Sequence, residues 1–299
     1  ATAMAPAGKD HLVTCATEHL AVLDPVRHLE RHGFRVTVVG VDARGSIDPD
    51  ELRAALEPAT LLVSLMAANN EIGTLHPLPM LSRIVREHSD ALLHTDAAQA
   101  VGRIPFDVAE QDVDLLSLSA HKIHGPKGVG ALVVRSRPRR VRLAPLLHGG
   151  GHERGLRSGT LDVPAIVGLG EALAIAGREM EADREHCQGL RDGLEQRLTT
   201  ALADVHLNGH PEERLPNNLN LSFARIEADA LLRELAGIAL STGAACSSAR
   251  LEPSHVIAAL GFGSARARTA IRFGLHRFTT AAEIERVGTR TIAAVEKLR

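Results

Sequence analysis

The sequence predicts an α/β fold: a mostly parallel sheet covered by helices, followed by a smaller α+β domain. Three observations carry this. Short apolar runs at residues 11–14, 34–41, 60–66, 91–95 and 113–118 alternate with helical patterns, and strand–helix alternation predicts parallel strands joined by crossover helices. Residues 163–202 are helical almost without a break, and beyond them strands and helices mix without that rhythm. The chain has 299 residues, enough for one large domain and one smaller one. The expected division is 1–175 for the large domain and 176–299 for the small one.

Residues 18–32 read as a helix from the spacing of Leu20, Leu23, Val26 and Leu29, and Pro25 is expected to bend it or delay its start. Asp48-Pro49-Asp50-Glu51 is a helix start with proline in the first turn. The strand 60–66 runs into Ala67-Ala68-Asn69-Asn70-Glu71, and 77–88 is a helix. Strand 91–95 closes on Asp96; strand 113–118 closes on Ser119-Ala120-His121-Lys122 and a Gly/Pro loop. Residues 128–135 form a further strand, and Arg137-Pro138-Arg139-Arg140 is an exposed basic turn. In the second domain 219–223 and 270–273 are strands, while 229–236, 255–260 and 281–298 are helices. There is no internal repeat and no low-complexity linker.

Composition narrows the function. The net charge is −2, so no acidic or basic tail points to nucleic acid or a membrane surface. Six Phe with no Trp or Tyr argue against a base-stacking surface. No apolar run approaches the roughly 20 residues of a membrane-spanning helix. The amino end, ATAMAPAGKD, has neither the basic segment nor the apolar core of a secretory signal. Cys15, Cys187 and Cys246 show no zinc spacing and suit reduced thiols in a cytoplasmic protein.

Of 34 basic residues only Lys9, Lys122, Lys127 and Lys297 are lysines, and two of the four share the loop after residue 118. An ammonium can lose its proton and add to an aldehyde, whereas a guanidinium cannot. A lysine at the carboxyl end of a buried strand, where α/β proteins bind ligands, is a candidate Schiff-base nucleophile. The alternative is an ordinary surface lysine. Asp96, at the end of the preceding strand, shifts the balance. A carboxylate that keeps a pyridine nitrogen protonated, paired with a lysine that holds an aldehyde, is what pyridoxal phosphate chemistry needs.

Two further stretches stand out. His148-Gly149-Gly150-Gly151-His152 begins like an esterase oxyanion loop, but the chain has no GxSxG elbow. The two histidines flank glycines rather than a helix face, which disfavours a metal site. Arg157, Ser158 and Thr160 make the segment a better donor loop for an anion. Cys246 sits among small residues, Ser241-Thr-Gly-Ala-Ala-Cys-Ser-Ser. It reads as a nucleophilic thiolate on a loop, with a buried structural cysteine as the alternative.

Taken together, these motifs resemble a cysteine desulfurase of the fold-type I, pyridoxal-phosphate-dependent (class V aminotransferase) family. The matching segments are TEH (17–19), NNEIG (69–73), HTDAAQAVG (94–102), SAHKIHGPKG (119–128), HGGGHERGLRSGT (148–160), STGAACSSARLEPSHV (241–256) and IRFGLHRFTT (271–280), in family order. The resemblance implies pyridoxal 5'-phosphate as cofactor, held by Lys122 as a Schiff base. Asp96 would meet the pyridinium, and Gln99 and Asn70 the phenolic oxygen side. His19 would stack on the ring, and Ser119 and His121 would hold the phosphate, joined by Thr160 of the other subunit of a homodimer. Arg272, with Asn70, would bind the carboxylate of L-cysteine. Lys122 would act as general base, and Cys246 would take the sulfur as a persulfide. An acceptor protein, either an iron–sulfur scaffold or a tRNA-thiolation protein, would receive it.

One departure belongs with this resemblance. The family carries an upstream Gly-Ala-Thr-Glu-Ser-type turn that anchors the phosphate, which these residues do not include. The expectation is therefore a family fragment or degenerate member, binding the cofactor weakly. Two alternatives remain open at the level of sequence: a selenocysteine lyase, and a non-catalytic dimer that docks sulfur-transfer partners.

Overall fold

The computed structural model describes residues 4–136, 141–242 and 253–299. The chain packs as two compact units, one of residues 1–39, 49–67 and 77–179, the other of 40–48, 68–76 and 180–299. This differs from a contiguous division at 175/176, because two short segments that follow strands pack with the second unit.

The first unit is built on a six-stranded sheet in the order β2-β1-β3-β4-β5-β6. Its strands are β1 (His11–Cys15), β2 (Arg35–Val39), β3 (Thr60–Ser64), β4 (Leu92–Asp96), β5 (Leu115–Ser119) and β6 (Gly130–Val134). The pairings from β2 across to β5 are parallel; β6 alone is antiparallel. Leu12, Val13, Val63, Leu93 and Leu116 are buried, as expected of strands covered on both faces. Helices α1 (Leu20–Glu30), α2 (Pro49–Ala55) and α3 (Leu78–His88) occupy the crossovers. Pro25 lies inside α1 without delaying its start. The helix begins at Leu20, not Glu18, because His19 takes the N-cap position. The basic turn at 137–140 lies outside the described residues.

Three side-chain devices fix the sheet in register. His94 on β4 bonds Ser64 Oγ on β3 at 2.8 Å and Ser117 Oγ on β5 at 2.9 Å. Burial lowers the His94 pKa, which suits a neutral ring between two hydroxyls. At the other end of β4, buried Asp114 accepts from Leu93 N–H and pairs with Arg86 of α3 at 2.9 Å. Near the opposite edge, the His11 ring spans Thr60 and Thr37 at 2.9 Å each.

Helix α4 (Val163–Ala201) is continuous, as its sequence pattern predicts. The second unit carries an antiparallel sheet β7-β8-β9 (Val205–Leu207, Asn218–Phe223, Ala270–Gly274). Phe223, Leu219, Leu221, Ile271 and Leu198 form its core together with α5 (Ala228–Glu234) and α8 (Ala281–Leu298). Thr280 and Glu283 cap α8 reciprocally. A second apolar cluster joins Ile72 to α6 (His255–Ile257), a π-helical turn (Ala258–Phe262) and α7 (Gly263–Arg268). Among the described residues no helix is long and apolar enough to cross a membrane.

Candidate active site

In the first unit, the sequence-predicted residues collect at the carboxyl ends of β1, β4 and β5. β1 runs into Ala16, Thr17, Glu18 and His19. His19 Nδ1 accepts the Ala21 N–H at 3.1 Å, which caps α1 and fixes the ring at the end of β1. Asp96 ends β4, and its Oδ1 accepts the Ala98 N–H at 2.9 Å, fixing the carboxylate at the mouth of the turn that follows. In strand register Asp96 faces Ser117 of β5. Lys122 follows β5 on a 3₁₀ turn, Ala120–Ile123. An acid and an amine thus leave neighbouring strands spaced about 4.8 Å apart.

The Lys122 turn is anchored by its apolar members. Ala120 and Ile123 are buried against Leu169 and Ala172 of α4, and Gly125 N–H closes onto Ala120 O at 2.9 Å. His124 exits in the left-handed region at φ 64°. Ser119 Oγ and His121 Nδ1 are bonded at 2.8 Å, so the two residues expected to share an anion already touch. Burial, then the charges of Lys122 and Lys127, lower the His121 pKa. A phosphate would act in the opposite direction. Thr160 is exposed, at the end of a loop in which Arg157 Nη1 donates to Ser158 O at 3.2 Å.

In the second unit Arg272 and Asn70 are joined directly. Arg272 Nη1 donates to Asn70 O at 2.7 Å, and its Nε to Ser241 Oγ at 3.1 Å. Asn218 Nδ2 also donates to Asn70 O, at 3.2 Å. The Asn70 Oδ1 atom is buried and makes no hydrogen bond among the described residues. Cys246 lies outside the described residues.

Sequence reasoning missed three residues. Glu18 is fully buried and its carboxylate accepts the Met66 N–H. Burial and then the nearby Asp96 charge raise its pKa well above the usual carboxylate range. Glu71 is also buried; it bonds Ser254 Oγ, while Asn220 Nδ2 donates to its backbone carbonyl at 3.0 Å. Burial pushes its pKa up to about 7 against the opposing pull of Ser254 and Arg272. Arg103 bonds both Gln99 and Lys122. Glu18 and Glu71 sit inside the motifs quoted above, which was the one available signal. Arg103 is four residues from Gln99, a helical spacing within a segment that reads as loop.

The donor set suits pyridoxal phosphate. In the first unit an amine (Lys122), a carboxylate (Asp96) and a hydroxyl–imidazole pair (Ser119, His121) are of the kinds that its aldehyde, pyridine nitrogen and phosphate would need. Among the described residues, no three His, Cys, Asp or Glu side chains gather as a metal site would require.

The aminotransferase class-V model matches residues 2–287. The cysteine desulfurase IscS of Anaeromyxobacter sp. (strain Fw109-5) is 51% identical over 289 residues, which are 97% of this chain and 71% of that protein. Among solved structures, a NifS-like protein superimposes with a TM-score of 0.89 at 39% identity, over 97% of this chain and 76% of that one. SspA, solved in complex with cysteine, gives a TM-score of 0.75 at 36% identity, over 91% of this chain and 75% of its own. With its sheet topology, its lysine and aspartate at neighbouring strand ends, and half its sequence shared with such a relative, the chain belongs to the class-V aminotransferase family.

Proposed function

We propose that this protein is a pyridoxal-phosphate-dependent cysteine desulfurase, which releases L-alanine from L-cysteine and passes the sulfur, as a persulfide on Cys246, to an acceptor protein. The observation that carries the reading is the amine and carboxylate leaving adjacent strands, in a chain half identical to a cysteine desulfurase.

When bound, the cofactor supplies an electron-withdrawing ring that takes up the charge left when the substrate Cα loses its proton. The protein's residues do the rest. Lys122 would hold the aldehyde carbon and, with its amine free, would take the substrate Cα proton as general base. Asp96 would hold the proton on the ring nitrogen. His19 would stack on the ring, and Gln99 and Asn70 would serve the phenolic oxygen. Ser119 and His121, with Thr160 from a second copy of the chain, would hold the phosphate in a homodimer. Arg272 spends Nε and Nη1 on Ser241 and Asn70, and we assign Nη2 to the substrate carboxylate.

The Cys246 thiolate attacks the substrate sulfur. An S–S bond forms as the Cβ–S bond breaks, and the carbon fragment is protonated and leaves as alanine. A thiol whose neighbours in the sequence are small residues suits this double duty, toward substrate and then toward an acceptor. The acceptor is an iron–sulfur scaffold or a tRNA-thiolation protein, and the setting is cytoplasmic.

The test is to give the purified, cofactor-loaded protein L-cysteine, then measure alanine and map the peptides by mass. Alanine together with an added sulfur on the Cys246 peptide is the expected result. No alanine, or sulfur carried elsewhere, would overturn the proposal.

A further inference from the structure

Beyond the residues that would touch the cofactor, one arginine joins two of them. Arg103 Nη1 donates to the Gln99 backbone carbonyl at 3.0 Å and also to the Gln99 side-chain oxygen, while Nη2 donates to the Lys122 carbonyl at 2.8 Å. The turn carrying Gln99 and Arg103 presses closely on the Lys122 turn. A Cβ at Gly102 would lie 2.9 Å from Ile123 Cγ2 and 3.0 Å from Ala176 Cβ, and the residue has φ +76°. Only glycine meets both demands at low cost, so the close approach of the two turns is built into the backbone.

The chemistry of the contact fixes a side-chain orientation. A guanidinium has five N–H donors and no acceptor, while an amide end has an acceptor oxygen and a donor nitrogen of almost the same shape. The amide atom against Arg103 must therefore be Oε1, and the NH₂ end faces the other way. We infer that Arg103 is a positioning residue: it locks the Gln99 amide so that it presents a donor, not an acceptor, to the phenolic oxygen of the cofactor, and it ties that donor to the backbone of Lys122. The inference rests on the pyridoxal phosphate reading and adds to it the element that sets polarity at one oxygen. Without Arg103 the amide flips freely and the donor is lost part of the time. A planar fork that reaches Gln99 and Lys122 together is something Lys at this position cannot reproduce.

The test is the visible absorption of the loaded protein titrated with pH, in wild type, Arg103→Met, Gln99→Ala and the double variant. Removing a donor from the phenolic oxygen, and a cation from the turn, both favour the protonated form of the lysine-bound cofactor, so the midpoint should rise by about half a unit or more. The other charges on these elements, Asp96, His121 and Lys127, are common to all four proteins. If Arg103 acts through Gln99, the double variant departs clearly from the sum of the single ones.

Arg103→Lys, which keeps the charge but not the fork, should recover part of the midpoint and leave the amide unlocked. It also serves if Arg103→Met does not fold. Additive shifts, or an unchanged midpoint in a folded Arg103 variant, would overturn the inference. A wild-type protein that never develops the absorption of a lysine-bound cofactor would instead overturn the cofactor reading itself.

Discussion

The candidate residues of the two units are held in different ways. In the first unit Asp96, Ser119 and Lys122 sit where parallel strands end, and the topology alone delivers them to a common edge. Their scaffold is apolar: Ala120 and Ile123 pack against Leu169 and Ala172. In the second unit Asn70 and Arg272 belong to a polar network with Ser241, Asn218 and the buried Glu71–Ser254 pair. The difference separates what a fold supplies for nothing from what must be stabilised locally. Groups at strand ends reach water and cost little; a carboxyl group buried beside a guanidinium is stable only while its hydrogen bonds hold.

The largest expected effect lies in the first unit. Lys122→Ala should abolish both the visible absorption of bound cofactor and alanine formation, a loss of about 10³-fold or more in rate. Lys122→Arg should fail equally, since a guanidinium forms no Schiff base. Residual colour in Lys122→Ala would place the anchor on another amine.

The thiols sharpen the comparison next. Cys246→Ser should keep the absorption of the cofactor and still bind L-cysteine, yet form no protein persulfide. Cys15→Ser and Cys187→Ser should form it like wild type. Cys15 is fully buried at the end of β1, bonded to Thr17 Oγ1 at 3.3 Å, and burial pushes its thiol pKa up to about 11. Such a thiol supplies little thiolate near neutrality. Persulfide lost in the Cys15 or Cys187 variant and retained in Cys246→Ser would reassign the nucleophile.

A selective effect is expected from Arg272. Arg272→Ala should raise KM for L-cysteine about 10- to 100-fold, the worth of a charge-assisted hydrogen bond, and leave the absorption in the absence of substrate unchanged. A matching change in that absorption would mean that Arg272 serves the cofactor instead.

The smallest effect is a pH dependence of stability in the second unit. Glu71 has its folded pKa raised to about 7 by burial, so the folded protein holds this proton more tightly than the unfolded chain. Its contribution is fully present below the ordinary carboxylate range and is lost as pH rises through about 7. The loss is about 1–3 kcal/mol in all. Denaturant titrations from pH 4.5 to pH 8, about the span of the shift, should show a shallower decline for Glu71→Gln than for wild type. Equal slopes would mean that Glu71 is not the group responsible.

Much of this was legible in the sequence because periodicity and strand-end chemistry are local. The runs that became β1, β3, β4 and β5, the 39-residue α4 and the Asp96–Lys122 pair were readable from neighbours in the chain. β7, three residues long, was too short to show alternation, and α7 was hidden by Gly263 and Ser264 at its start. The buried carboxylates Glu18 and Glu71 look like any other acids in the sequence, since burial is decided by residues far away, Met66 and Ser254 among them. Arg103 was missed for a similar reason. Its second partner, Lys122, lies 19 positions on, and only the fold brings the two turns together.

Whether Lys122 carries the cofactor is read most directly by borohydride reduction of the protein loaded with pyridoxal phosphate, followed by mass mapping of its peptides. With four lysines in the chain, each site of attachment is distinguishable. The reduced cofactor is expected on the peptide containing Lys122, at Lys122 rather than Lys127. Attachment at Lys9, Lys127 or Lys297, or at no lysine, would contradict it.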